Sequence, residues 1–277
     1  MTMRATIYTL YHYVPETYVA NALYKPMVLG HSAGAHPALL SDDSGDNISQ
    51  EESHCEMRGQ YWVWKNALAD CDYVGFQHYR RWLFFDQMPS ASLPPIFLQI
   101  RRIYLSDPHA NDLGADAAAF NIYTDAAQAH SEADLNAIRD TIGRYDIVTV
   151  RPWKFHVADQ YKSLHVPEDW DTLMQVLAKH SYFRSRPNLL NPDLQAFYGC
   201  NMYVMRAEEF AAYMAFWHET IQEFAHLVKP HADAYQSRLY GFLSERIFTL
   251  YLYQQRMERP NLRVLEVPKI VGPQQLA

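Results

Sequence analysis

Cysteine is scarce in this chain of 277 residues: there are three, Cys55, Cys71 and Cys200. Their spacing matches no metal-ligand motif, and three thiols make no disulfide framework. They read as reduced thiols of a cytosolic protein. Positive charge is also short. With 24 Lys and Arg against 31 Asp and Glu, the net charge is −7, which argues against a general nucleic-acid binder, whose footprint is basic. No run approaches the ~18 apolar residues of a membrane span. Residues 1–6 lead into the strand-like Ile7-Tyr8-Thr9-Leu10-Tyr11 without the apolar core of a targeting segment. The expectation is a soluble cytoplasmic protein, which can still associate peripherally with the inner face of a membrane. Internal repeats and low-complexity linkers are missing as well, favouring one α/β domain over residues 1–277.

What the chain has in quantity is apolar and aromatic side chain: 49% hydrophobic and 14% aromatic, with 20 tyrosines. That is enough for a sizeable core and for stacking on a sugar or base, although Tyr and Trp fill cores and interfaces equally well.

One stretch organises the rest: Asp72-Tyr73-Val74-Gly75-Phe76-Gln77-His78-Tyr79-Arg80-Arg81. An apolar run bounded by polar residues predicts a buried strand, with Val74 and Phe76 inside. His78, Tyr79, Arg80 and Arg81 then fall at its carboxyl end, where open α/β sheets bind ligands. Two adjacent guanidinium groups suit a phosphate, whose oxygens match their bidentate fork. The bland alternative is a strand end whose arginines sit in water or pair with carboxylates.

Around it the pattern predicts strands at 5–13, 24–29, 146–150 and 262–267. Helices are predicted at 55–70, 131–145, 167–180, 207–227 and 240–253. Ser53 and Glu56 have the spacing of a capping box, which makes capping the expected role of Glu56. Residues 89–95 and 107–116 read as loops, with an apolar segment at 96–105 between them. At 197–205 a loop runs into a strand, with Gly199 permitting close backbone approach and Asn201 offering both donor and acceptor. The acidic loop Asp42-Asp43-Ser44-Gly45-Asp46 lacks the full ligand series of a calcium site.

Read together, Asp46-Asn47-Ile48-Ser49, Cys55-Glu56, Tyr61-Trp62-Val63-Trp64-Lys65-Asn66 and the organising stretch resemble a known family. It is the capsular and exopolysaccharide biosynthesis glycosyltransferase family, long described as a domain of unknown function. Gln160-Tyr161 with His165, Gly199-Cys200-Asn201-Met202 and Gly241-Phe242-Leu243-Ser244-Glu245-Arg246 extend the likeness over residues 5–255. The sequence departs from the family at Met57-Arg58, in place of Leu-Thr, and at Gln77, in place of Cys.

The resemblance implies a GT-A-like, Rossmann-like fold with a central mostly parallel sheet flanked by helices. It also implies transfer of a hexosyl residue, galactosyl or galactofuranosyl among them, from a UDP-sugar to a saccharide or lipid-linked saccharide acceptor. Glycosyl transfer needs charge compensation for the departing diphosphate and, in an inverting enzyme, a base for the acceptor hydroxyl. GT-A enzymes commonly hold a divalent metal with Asp-x-Asp at a strand end. Here the matching strand ends in His78-Tyr79-Arg80-Arg81, so no cofactor or metal is expected and the arginines stand in for one. Asp70-Cys71-Asp72 and Asp169-Trp170-Asp171 lie elsewhere and read as structural.

By chain order, Glu245 is the expected base. Tyr11, His12, Asp46, Asn47 and Asn201 are expected on the donor, and His165 and Tyr161 on the acceptor. A competing view has Glu245 only orienting the site through an ion pair with Arg246 or with one of Arg80 and Arg81. Two rivals concern the whole protein. One is a non-catalytic nucleotide-sugar or glycan binding module. The other is a phosphate-handling hydrolase, in which like charge from the arginines keeps His78 neutral.

Overall fold

In the computed structural model, which describes residues 3–30, 36, 39–85, 117–191 and 193–272, the organising stretch is the middle of a nine-stranded sheet. In chain order the strands are β1 (Ala5–Tyr11), β2 (Tyr24–Val28), β3 (Leu40–Ser41), β4 (Tyr73–His78), β5 (Arg81–Leu83), β6 (Ile147–Val150), β9 (Tyr203–Arg206), β10 (Val264–Val267) and β11 (Lys269–Val271). A separate two-stranded ribbon joins β7 (Trp153–Lys154) to β8 (Ala196–Phe197). The main path runs β10-β6-β9-β4-β1-β2-β3. All its neighbours are parallel except β9, which lies antiparallel between β4 and β6. β5 turns back from β4 and pairs with β11. The expected α/β sheet, mostly parallel, is therefore present.

Helices cover both faces, which explains why the central strands read as continuous apolar runs rather than alternating ones. On one face lie α1 (Met57–Asn66), α4 (Val157–Leu164), α5 (Pro167–Lys179), α6 (Ser181–Arg184), α7 (Ala207–Leu227) and α8 (Leu239–Glu258), packed over Tyr8, Leu10, Val74 and Phe76. On the other lie α2 (Ala117–Gln128) and α3 (Glu132–Ile142), over Ile7, Tyr73, Val148 and Val204. Val74 and Phe76 are both 0% exposed, each stabilising by about 1.5–3 kcal/mol relative to exposure. Gln77 is also fully buried, but its amide donates to Thr9 Oγ1 at 3.0 Å and accepts from the Leu83 N–H at 3.3 Å.

Element ends follow local chemistry. Ser131 caps α3 in a reciprocal capping box with Asp134. The capping pair predicted for Ser53 and Glu56 fails. α1 begins at Met57, the preceding Glu56 makes no side-chain cap bond, and Ser53 sits within a 3-10 turn at Glu52–His54. Glu56 is instead drawn inside, 6% exposed. The predicted segments at 89–95, 96–105 and 107–116 lie outside the described residues.

Candidate functional site

The site follows from strand register. Leu10 of β1 pairs with His78 of β4, so the chain leaves both strands at the same edge, carrying Tyr11-His12 from one and His78 to Arg81 from the other. β9 runs the opposite way, with Tyr203 beside Phe76, so Cys200 and Asn201 arrive where β4 ends. Both adopt left-handed backbone, with φ 72° and 48°, a conformation asparagine tolerates better than most residues. At Gly199 a Cβ would meet the Trp153 ring at 2.7 Å.

This turn is held from several sides. The Cys200 N–H donates to Glu245 Oε1 at 2.6 Å, and Gln60 Nε2 donates to the Asn201 carbonyl at 2.8 Å. Asn201 Nδ2 donates to Glu56 Oε1 at 3.1 Å and to the Gly241 carbonyl at 3.3 Å. Gly241 in turn lies against the residue before Glu56, since a Cβ there would sit 2.7 Å from Cys55 Sγ. The start of α1, the first turns of α8 and the approach to β9 thus converge on one point.

Two carboxylates stand at that point among arginines. Glu245 Oε2 accepts from Arg246 Nη1 at 2.7 Å, and Arg246, 2% exposed, spans to Gln160 Oε1 at 2.6 Å and stacks over Tyr161 and Phe197. Burial raises the Glu245 pKa; Arg246 opposes the rise, and Glu56 adds to it. Glu56 Oε1 lies 3.6 Å from His78 Nε2, with both side chains buried. Burial lowers the His78 pKa to about 4; Glu56 opposes this, while Arg81 and His12 reinforce it. His78 is therefore neutral at neutral pH, and burial contributes more to this than the like charge expected from sequence. His12 is exposed to solvent yet ringed by protein atoms, which lowers its pKa, with Glu56 opposing and Arg58, Arg238 and Arg80 assisting. On a chain of net charge −7, this edge gathers Arg58, Arg80, Arg81, Arg238 and Arg246 around two carboxylates. Such a surplus of fixed positive charge suits an anion.

Beside the cluster opens a cavity of about 590 Å³. Aromatic side chains from the ends of β1 and β4 line it, Tyr11, Tyr13, Tyr79 and Trp82 among them, with Arg80 at its margin. The Tyr13 and Tyr79 rings meet edge to face at 5.1 Å, and Tyr11 and Tyr79 lie 6.1 Å apart. Cavities of this size and character take ligands of nucleotide dimensions.

Residues 6–256 match the family described as Domain of unknown function (DUF4422). The chain belongs to that family. Comparison with curated proteins gives no match. Among solved structures, the WbbM bifunctional glycosyltransferase in its apo form is similar in fold, with a TM-score of 0.75 and 24% sequence identity over 98% of this chain. The DUF4422 chain spans less than half of that protein, 45% of its length. The likeness shows that the sheet and its helices have the fold of a glycosyltransferase, in keeping with the GT-A-like expectation.

Against this geometry, the residues singled out from sequence divide. His78, Asn201, Arg81, Glu245 and His12 are brought together, and Tyr11, Tyr79 and Arg80 line the adjoining cavity. Asp46 and Asn47 are not joined to the cluster by the contacts they make. Asp46 accepts from the Tyr61 hydroxyl at 2.9 Å and is bracketed by Asn66, on the later part of α1, whereas the cluster forms at that helix's start. Asn47 closes its own turn onto Ser49.

Tyr161 and His165, expected on the acceptor, are both buried. Tyr161 is 0% exposed, and His165 is wedged against Tyr161 at 4.7 Å and Phe242 at 4.1 Å. The face turned to solvent there belongs to Tyr235, 50% exposed and stacked on His165 at 5.8 Å. Both oxygens of Glu245 have fixed partners, which favours the orienting place over the proton-accepting one. Sequence reasoning assigned Glu56 to a cap. The residue before Glu56, Cys55, has positive φ, 50°, which the letters of the sequence do not announce. Among the described residues, no three His, Cys, Asp or Glu side chains group to hold a metal ion. Asp72 pairs with Arg4 at the other end of β4, and Asp169 with His231.

Proposed function

We infer that this chain is a glycosyltransferase that takes a hexosyl residue from a UDP-sugar and places it on a saccharide of a growing surface polysaccharide. The observation that carries the reading is the aromatic cavity at the ends of β1 and β4, lined by Tyr11, Tyr79 and Arg80, whose chain neighbours His12, His78 and Arg81 belong to the charged cluster. A nucleobase stacks among Tyr11, Tyr13 and Tyr79. The diphosphate then falls beside Arg80, with Arg81 behind it, and the sugar reaches the Glu56–His78–Asn201–Glu245 cluster. Guanidinium groups preorganised at the leaving group stabilise its developing charge without rearrangement and take the place of a divalent metal.

The acceptor approaches from the Tyr235 side, where an exposed ring next to Phe242 offers a stacking face. Displacement from the face opposite the diphosphate inverts the anomeric centre. A lipid-linked acceptor would place the protein at the inner face of a membrane. The described helices themselves are not long and apolar enough to cross one.

The test is calorimetric titration of UDP, UDP-galactose and UDP-glucose into the protein, with and without EDTA, for wild type, Arg80→Lys and Arg81→Lys. The reading expects binding that survives EDTA and weakens at least tenfold in one Lys variant, because lysine lacks the bidentate fork. Binding abolished by EDTA, or unchanged in both variants, counts against it.

A further inference from the structure

The cluster contains a mismatch that its protein partners do not resolve. His78 Nε2 and Asn201 Oδ1 are buried and have no hydrogen-bond partner. The imidazole is neutral for the reasons given above. Its Nε2 faces Glu56 Oε1 at 3.6 Å, beyond hydrogen-bond reach. The Asn201 amide places its donor on Glu56 and the Gly241 carbonyl, which leaves Oδ1 unpartnered. Two buried polar atoms without partners beside a buried carboxylate call for a group from outside the protein that both donates and accepts, as a hydroxyl does. An unmet buried polar atom is otherwise costly.

We propose that the Glu56–His78–Asn201 cluster binds the attacking hydroxyl of the acceptor, and that Glu56, not Glu245, receives its proton. The proposal rests on the glycosyl-transfer reading. The hydroxyl supplies the missing partner. Its proton passes to a Glu56 carboxylate oxygen while an oxygen electron pair forms the new bond to the anomeric carbon. The bond from that carbon to the diphosphate oxygen breaks, and its electron pair leaves with the UDP, facing Arg80 and Arg81.

The carboxylate suits this task better than its neighbour. Glu245 is committed on both oxygens, to Cys200 N–H and to Arg246, whereas no arginine hydrogen-bonds Glu56 among the described contacts. Glu245 thereby acts as a positioning residue, holding the turn that aims Asn201.

The experiment compares Glu56→Gln, Glu56→Asp and Glu245→Gln in the full chain. UDP release is measured from UDP-galactose and other UDP-hexoses, with water or methyl galactoside as acceptor, beside UDP affinity and melting temperature. A glutamine at position 56 keeps the shape and an oxygen for Asn201 while removing a buried charge. Glu56→Gln should therefore melt no lower than wild type, bind UDP within about twofold, and lose turnover by roughly 10²–10⁴-fold. Glu56→Asp should recover part of that loss. Glu245→Gln should lower the melting temperature, because Arg246 loses its ion partner.

Full turnover in Glu56→Gln overturns the assignment, as does a fall in its melting temperature and UDP affinity in step with activity, which marks a structural role. Wild-type protein that releases no UDP from any UDP-hexose overturns the glycosyl-transfer reading, and the Glu56 assignment with it. Wild-type turnover matched by Glu56→Gln removes the assignment alone.

Discussion

Asn201 concentrates the argument about how the site is built, and replacing it should be measurably costly. Its amide donates to the Glu56 carboxylate at 3.1 Å and to the Gly241 carbonyl at 3.3 Å, from a position 0% exposed and with φ 48°. In Asn201→Ala the hydrogen bond to a charged group goes, worth about 1.5–3 kcal/mol, and the longer bond to the carbonyl goes with it, worth about 0.5–1 kcal/mol. Alanine in left-handed backbone costs about 1 kcal/mol more than asparagine. Removing the unpartnered Oδ1 returns about 1 kcal/mol of desolvation. The net expectation is a loss of about 2–4 kcal/mol. Asn201→Gly should lose about 1 kcal/mol less, since glycine adopts that φ freely. Urea unfolding followed by far-UV circular dichroism measures both, provided the slope with urea stays constant across the variants. A loss below about 1 kcal/mol for Ala, or a Gly variant less stable than the Ala variant, would refute the reasoning.

Two further outcomes are expected. Gly241→Ala should push Cys55 outward, since the new Cβ would lie 2.7 Å from Sγ and 2.9 Å from Cβ of Cys55. Displacing the neighbouring Glu56 should cut turnover tenfold or more with the fold retained, measured as UDP release beside circular dichroism. Asp146 reports on the far edge of the sheet. Burial pushes its carboxyl up, but hydrogen bonds from Arg263 and Arg206 outweigh this and bring it down to about 2. A carboxyl lowered on folding stabilises above its ordinary value near pH 4, and that contribution is lost as pH falls towards 2. Allowing for solvent screening it is worth about 1–2 kcal/mol, so Asp146→Asn should flatten the acid limb of a stability-versus-pH curve.

Much of the fold was legible because burial on both faces of a parallel sheet leaves a plain mark. Val74 and Phe76 sit in an apolar run, and the chain turns polar at His78, where the strand ends. The helices at 131–145 and 207–227 were equally clear, because periodicity is a local signal. Short elements such as β5 and β11 were not, since they are defined by pairing with distant strands rather than by a local pattern. The site was half legible. His78 to Arg81 announced itself by type and place. Glu56 did not, because a Ser-x-x-Glu spacing carries the same letters whether the glutamate caps a helix or turns inward, and only the Cys55 backbone and the Gly241 contact decide between them. The burial of His165 and Tyr161 beside the exposed Tyr235 was not legible either, since it depends on how α4 and α8 meet.

The most direct measurement of the central claim is product analysis by mass spectrometry with UDP quantified in parallel, using a panel of UDP-hexoses and saccharide acceptors in the presence of EDTA. The account predicts one UDP released per new glycosidic bond for at least one donor, and loss of both signals in the Arg80→Lys or Arg81→Lys variant that weakens UDP binding. UDP-hexose binding with no UDP release from any donor would contradict it and leave a binding module on a glycosyltransferase fold.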